Sequence, residues 1–192
     1  MGNRVLTIQS KKCTGCHMCE LACSSVKEGE FIPSRSRIRV ATNGLEGWSR
    51  PNVCLQCEDA ICLAACPTGA IFKTKTQQGD PLVAVDQEMC TDCGACVEAC
   101  PFGALDFING LGAIKCDLCG GSPKCVDFCF YGCLNFMELS DEAYQTRTKK
   151  IKALALKASR EINKLDPYQR RIEFSLEASK VATVSSDSKG NK

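Results

Sequence analysis

Histidine is nearly missing from this chain of 192 residues: there is one, His17, and it stands inside a cysteine loop. No Ser-His-Asp set, phosphate loop or dinucleotide fingerprint accompanies it, so the groups that usually move protons or hold phosphates in an enzyme are lacking. Aromatic residues make up only 6%, with a single tryptophan, Trp48, which leaves little bulk for an ordinary hydrophobic core. No apolar run reaches the ~18 residues of a membrane-spanning helix, so no direct span is expected. Neither sign of charge dominates: 24 basic residues face 22 acidic ones, and a formal charge of +2 offers nothing to attract nucleic acid. The opening Met1-Gly2-Asn3-Arg4-Val5-Leu6-Thr7 has no apolar stretch or small-residue cleavage site, and Leu6 stands where a myristoylation signal has Ser or Thr. The expectation is a cytoplasmic protein in a reducing compartment, where disulfides do not persist.

Against these shortages stands cysteine, with 17 residues. All lie between Cys13 and Cys133, and sixteen of them form four groups of four. The first run is Cys13, Cys16, Cys19, Cys23; the second Cys54, Cys57, Cys62, Cys66; the third Cys90, Cys93, Cys96, Cys100; the fourth Cys116, Cys119, Cys125, Cys129. Cys133 is left over. Runs one and three read C-x2-C-x2-C-x3-C, and the third continues into Pro101, the bacterial ferredoxin pattern for a [4Fe–4S] cluster. Three closely spaced cysteines wrap one corner of a cubane; the fourth, expected to begin a helix that points away, reaches the neighbouring cluster. Four runs therefore predict two modules, four [4Fe–4S] clusters and sixteen thiolate ligands. Zinc is the competing reading, but structural zinc sites use separated cysteine pairs and rarely a third cysteine three residues on.

The runs belong to a repeat. Cys54-Leu55-Gln56-Cys57 through Cys66-Pro67-Thr68-Gly69-Ala70-Ile71 parallels Cys90-Thr91-Asp92-Cys93 through Cys100-Pro101-Phe102-Gly103-Ala104-Leu105. Leu6 and Ile8 precede Cys13 as Val83 and Val85 precede Cys90, which predicts short strands leading into each loop. Gln78-Gly79-Asp80 and Asn109-Gly110 read as hairpin turns. The fold class is α+β, with short strands and helices around the clusters and Phe72, Phe102, Phe107 and Phe136 packing against them. Residues 24 to 52 read as an insertion, either a surface loop with one strand or a contact for a partner.

Lys12-Cys13-Thr14-Gly15-Cys16-His17-Met18-Cys19-Glu20-Leu21-Ala22-Cys23, then Cys54-Leu55-Gln56-Cys57-Glu58-Asp59 and Cys116-Asp117-Leu118-Cys119, resemble the four-cluster iron–sulfur subunits of the dimethyl sulfoxide reductase type. They look most like those accompanying tungsten aldehyde oxidoreductases and class II benzoyl-CoA reductases, and the electron-transfer subunit of carbon monoxide dehydrogenase. The resemblance covers about residues 5 to 139. It implies nested pairing of two ferredoxin-like modules, an inner one at about 53–108 and an outer one joining about 5–24 with 113–139. One cluster then takes Cys13, Cys16, Cys19 and Cys129; another Cys116, Cys119, Cys125 and Cys23. The inner pair takes Cys54, Cys57, Cys62 with Cys100, and Cys90, Cys93, Cys96 with Cys66. Ser24 and Phe130 stand where Pro67 and Pro101 follow the other fourth cysteines. Proline has no N–H to offer sulfur, so the outer pair is expected to differ in potential from the inner pair. Cys133 aligns with Ala70 and Ala104, as a small buried thiol rather than a substitute ligand.

The expected function is electron transfer between a soluble carrier or another redox subunit and a catalytic subunit, with no catalysis by this chain. The resemblance points to a tungsten- or molybdenum-pterin oxidoreductase partner of an anaerobic system. Carbon monoxide dehydrogenase, hydrogenase, a free-standing polyferredoxin and, more distantly, a zinc-bound adaptor are the alternatives. His17 reads as solvent-facing surroundings of its loop. Residues 140 to 182 form a helical extension: Ser140 caps a helix to about Leu165, with Ile151, Leu154, Ile162 and Leu165 near one face. Asp166-Pro167 stops it, a second helix covers Tyr168 to Ala182, and Thr183 to Lys192 reads as disordered. The extension is either packed on its own chain or an arm clamped on the catalytic subunit.

Overall fold

The computed structural model describes residues 3–160 and 164–182. Strand β1 (Arg4–Ile8) leads into run one, and helix α1 (Met18–Glu28) carries its last cysteines. Strands β2 (Ile38–Asn43) and β3 (Trp48–Val53) follow, then α2 (Ile61–Ala64), β4 (Ile71–Lys75), β5 (Pro81–Val85), α3 (Ala95–Ala99), β6 (Leu105–Ile108), β7 (Gly112–Lys115), α4 (Lys124–Asp127) and β8 (Leu134–Glu138). Two longer helices, α5 (Asp141–Ser159) and α6 (Pro167–Ala182), close the described chain.

The strands form four separate antiparallel pairs: β1 with β8, β2 with β3, β4 with β5, and β6 with β7. The last two are the hairpins expected at Gln78-Gly79-Asp80 and Asn109-Gly110. The first joins the two ends of the cysteine-bearing region, with Leu6 opposite Phe136, and so brings run one beside run four. Helix α1 packs on α4, and α2 on α3. A few large residues, Ile8, Ile38, Leu105, Leu118, Leu134 and Phe102, are completely buried between these pairs.

Several expectations need correction. The insertion holds two strands rather than one: β2 and β3 pair from Ile38 opposite Val53 to Asn43 opposite Trp48, and Ile38 and Ala41 are buried beneath. Phe72 is 41% exposed on the outer face of β4, because its neighbour Ile71 takes the inward position of the alternation. Ser140 does cap α5, accepting from the Ala143 N–H at 3.2 Å, but the helix ends at Ser159 rather than near Leu165. Pro167 does not stop a helix; it opens α6 at the position where its missing N–H costs nothing. Ile162 and Thr183 to Lys192 lie outside the described residues.

The extension folds onto its own chain. Ile151, Leu154, Ala155 and Ala158 of α5 and Phe174 of α6 are buried in the common core. Arg171 donates from Nε to the Gly103 carbonyl at 2.9 Å and from Nη2 to Asp106 at 2.9 Å, while Arg170 donates from Nη1 to the Glu98 carbonyl at 2.6 Å. Gly103, with φ at +57°, lets the start of α6 approach: a Cβ there meets the Pro167 carbonyl oxygen at 2.2 Å.

Candidate metal centres

All four cysteine loops share one backbone device. The residue before the second cysteine is left-handed in each run: Gly15 at φ +70°, Gln56 at +53°, Asp92 at +57° and Leu118 at +55°. Such a conformation is strained for a residue with a side chain and persists where surrounding contacts enforce it. Here Leu118 is buried, and Gln56 is tied by hydrogen bonds to the Cys116 carbonyl and the Val83 N–H. Left-handed residues in a tight loop turn neighbouring N–H groups inward, a concavity suited to anionic sulfur.

The third cysteine of every run is the second residue of a helix: Cys19 in α1, Cys62 in α2, Cys96 in α3 and Cys125 in α4. This corrects the expectation that the helix starts at the fourth cysteine. In runs two, three and four the fourth cysteine lies just past the helix end, so one short helix carries sulfurs at both ends. A tight turn follows, with the N–H of Gly69, Gly103 or Gly132 returning to the carbonyl of Cys66, Cys100 or Cys129. The chain then delivers an N–H to sulfur, from Ala104 to Cys100 and from Leu134 to Cys129, each at 3.4 Å. Phe130 in place of proline leaves this turn intact. Ser24 does not: α1 runs on to Glu28, and the N–H offered to the Cys23 sulfur comes instead from Arg37, at 3.3 Å, in the insertion.

Three cavities open among the sulfurs. One is lined by Cys54, Cys57, Cys62 and Cys100, with Phe102 and Lys115 on its wall. Another collects Cys13, Cys16, Cys19 and Cys129, with Cys133 beside them. A third collects Cys66, Cys90, Cys93 and Cys96 against Phe107. The remaining four also meet: Cys23 acts electrostatically on Cys116, Cys119 and Cys125. Phe136 lies instead under the Arg4 guanidinium, 4.9 Å from its ring centre. His17 is exposed, with Nδ1 2.8 Å from Glu20. Cys133 is 2% exposed, as Ala70 is at 1%, and its thiol pairs with Cys13.

The thiols resist ionising together. Burial, then neighbouring charge, pushes Cys19, Cys62 and Cys116 up to about 12 and Cys96 up to about 11, and Cys57 rises for the same reasons. Cys13, accepting from Cys133, is drawn down. Four crowded thiolates repel unless a cation sits among them, and a coordinated metal deprotonates thiols outright. Among the described residues no three Cys, His, Asp or Glu side chains close around one point as a single ion requires. Quartets of sulfur gathered without a single-ion site fit a larger, multi-iron group.

Two basic residues near the sulfurs had no local signature. Lys115 is 7% exposed; burial pulls its pKa down, but Cys54 and Cys116 outweigh that and hold the ammonium charged. Arg147, 5% exposed, donates from Nη2 to the Leu55 carbonyl at 3.0 Å. The only hint at Lys115 was a lysine abutting a ligand in a strand that is buried throughout.

This geometry defines a ferredoxin-like iron–sulfur protein, and the chain belongs to the proteins with [4Fe–4S] ferredoxin domains: a 4Fe-4S dicluster domain matches residues 46–139 and a 4Fe-4S binding domain residues 10–26. Its relatives are iron–sulfur subunits of oxidoreductases. It is 43% identical over 113 residues to the aliphatic sulfonate oxidoreductase polyferredoxin-like subunit of Pyrococcus furiosus, covering 58% of this chain and 63% of that one. It is 37% identical over 128 residues to the putative electron transport protein YsaA of Escherichia coli, covering 60% and 75%. With formate hydrogenlyase subunit 2 of Escherichia coli it shares 40% identity over 105 residues, 55% of this chain, and it spans 48% of that protein's length. Among solved structures it aligns with the active site complex BamBC of benzoyl coenzyme A reductase as isolated, at 26% identity over 79% of this chain and 88% of that one, with a TM-score of 0.43. Among the described residues no helix is long and apolar enough to cross a membrane.

Proposed function

We propose that the sixteen cysteines hold four [4Fe–4S] clusters, and that the chain is the non-catalytic electron-transfer subunit of an oxidoreductase complex. The quartets are those named above: Cys13, Cys16, Cys19, Cys129; Cys23, Cys116, Cys119, Cys125; Cys54, Cys57, Cys62, Cys100; and Cys66, Cys90, Cys93, Cys96. [4Fe–4S] clusters in these sites supply one-electron chemistry. The chain's own part is spacing, burial and hydrogen bonding.

The observation that carries this reading is the order of the sites. Cys19 and Cys125 are close enough to repel as thiolates, as are Cys116 and Cys54, and Cys62 and Cys96. The quartets therefore stand in line, from Cys13 through Cys23 and Cys54 to Cys90. Only Cys16 and Cys93 are exposed among the seventeen, one in each terminal quartet, so the line opens to solvent at its two ends. A carrier docks at one end and a catalytic subunit at the other. The resemblance of the runs favours a tungsten- or molybdenum-pterin subunit as that partner, in an anaerobic cytoplasmic complex.

Anaerobic purification tests the reading. The expected protein is brown, absorbs near ~400 nm, bleaches with dithionite and carries about four irons and four sulfides per quartet. A colourless protein loaded with zinc would favour the zinc-bound adaptor instead. Metal analysis of the copurifying subunit tests the partner: tungsten or molybdenum supports it, and nickel points to a hydrogenase or carbon monoxide dehydrogenase.

A further inference from the structure

Buried cations are costly unless a counter-charge is near. Lys115 and Arg147 are both buried, and neither forms an ion pair with a carboxylate among the described residues. Lys115 donates from Nζ to Gln56 Oε1 and the carbonyls of Val83 and Cys116, and it also bonds the Cys54 sulfur. Among the described residues the Arg147 guanidinium has one hydrogen bond, to the Leu55 carbonyl, and its buried Nε has no partner. Both lie beside sulfur. Lys115 lines the cavity of Cys54, Cys57, Cys62 and Cys100 and acts on Cys54, Cys116 and Cys62; Arg147 lines an adjoining pocket with Cys54 and acts on Cys57 and Cys54.

The other three sites differ. The walls of the Cys66–Cys90 cavity carry no Lys or Arg. At the Cys13 cavity, Lys12 and His17 are both exposed to water. Beside Cys119, Lys27 is neutralised by Asp117 at 2.5 Å.

We infer that Lys115 and Arg147 make the site of Cys54, Cys57, Cys62 and Cys100 the highest-potential of the four, so that an electron entering the line rests first in its interior. This inference rests on the reading of the quartets as cluster sites. An electron passing in from a neighbouring site makes this one more negative by one unit and the donor site less negative by one. Fixed positive charge in a dry surrounding favours the more negative state and so raises the potential. Lys115 also acts on Cys116 of the adjacent site, but on three sulfurs here, Cys54, Cys62 and Cys100, and the sulfurs on which Arg147 acts, Cys57 and Cys54, belong to this site alone. The tail has a part here as well: Arg147 rides on α5, which delivers its charge to a loop 92 residues earlier. Both are positioning residues, acting through the sulfurs they face.

A potentiometric titration of the full-length, anaerobically loaded protein, followed by electron paramagnetic resonance, tests this. Arg147→Met and Lys115→Met are expected to move the first reduction step to lower potential and leave the terminal sites where they were, and Arg147→Lys is expected to restore most of the shift. A third arm leaves both cations in place: Cys57→Ser should displace the first reduction step, and Cys16→Ser a later one. Variants with full iron content and an unmoved first step, or a first step that responds to Cys16→Ser, overturn the inference. If the methionine variants fail to load, the serine pair alone decides. A protein that carries no [4Fe–4S] signal at all refutes the cluster reading instead, and iron analysis separates the two.

Discussion

Gln56 donates from Nε2 to the carbonyl oxygen of Cys116 at 2.8 Å, tying the loop of run two to that of run four. Its Oε1 accepts from the Val83 N–H at 3.0 Å and from Lys115 Nζ at 3.1 Å. One side chain thus joins two cysteine loops and a strand. Gln56→Ala removes all three bonds and is expected to cost on the order of 1–3 kcal/mol. The loaded variant should bleach at a lower temperature than the parent; an unchanged bleaching temperature would refute this role.

Asp80 is completely buried and receives the backbone N–H and the guanidinium of Arg4 together with the Thr76 hydroxyl. Although burial raises the carboxyl, these partners hold it below the usual carboxylate range. A depressed pKa contributes stability above the unfolded value of about 3.9 and loses it as pH falls through the folded value. Asp80→Asn should therefore lose its clusters faster than the parent at pH 7, and the difference should shrink in acid below about pH 4. Bleaching half-times at the two pH values measure it; a gap that widens in acid contradicts the pairing.

Cys133 fills the small position taken by Ala70 and Ala104 in the parallel repeats, and its thiol donates a hydrogen bond to the Cys13 sulfur. Cys133→Ala is expected to leave iron content at the parent level, while Cys129→Ala, four residues earlier, lowers it. Equal iron loss in both variants would make Cys133 a ligand.

Removing Asp166 to Lys192 strips Arg170 from Glu98 and Arg171 from Gly103 and Asp106. Because α6 covers this chain rather than reaching away from it, the truncated protein should lose iron faster in air than the full chain. Iron retained after timed exposure is the measure, and retention equal to that of the full chain would show that the cover is dispensable.

Ligand spacing is a local property, which is why the runs, the repeat and both hairpin turns were legible in the sequence. Cys133 could be placed for the same reason, by counting from Cys129. What escaped is long-range. Arg147 meets Leu55 across 92 residues and Asp80 meets Arg4 across 76, and neither pairing leaves a periodicity to find. Asp80 read as an ordinary turn residue because its neighbours are turn residues. Phe72 misled for a related reason: apolar character was used where the alternation with Ile71 decided which side faced inward. The end of α5 was misjudged because Pro167 was taken as a stop, when proline is equally at home as a start.

The pairing of β1 with β8 also sets a timetable. A ribosome releases the chain from its amino end, and local units fold as they appear. With the quartets as ligand sets, the two inner sites are complete once Cys100 emerges, since runs two and three supply all eight of their sulfurs. The outer sites need Cys116 to Cys129, and the strand that clamps run one in place ends at Glu138. On that assignment Cys13, which leads the four runs, would be among the last of the sixteen to receive its iron.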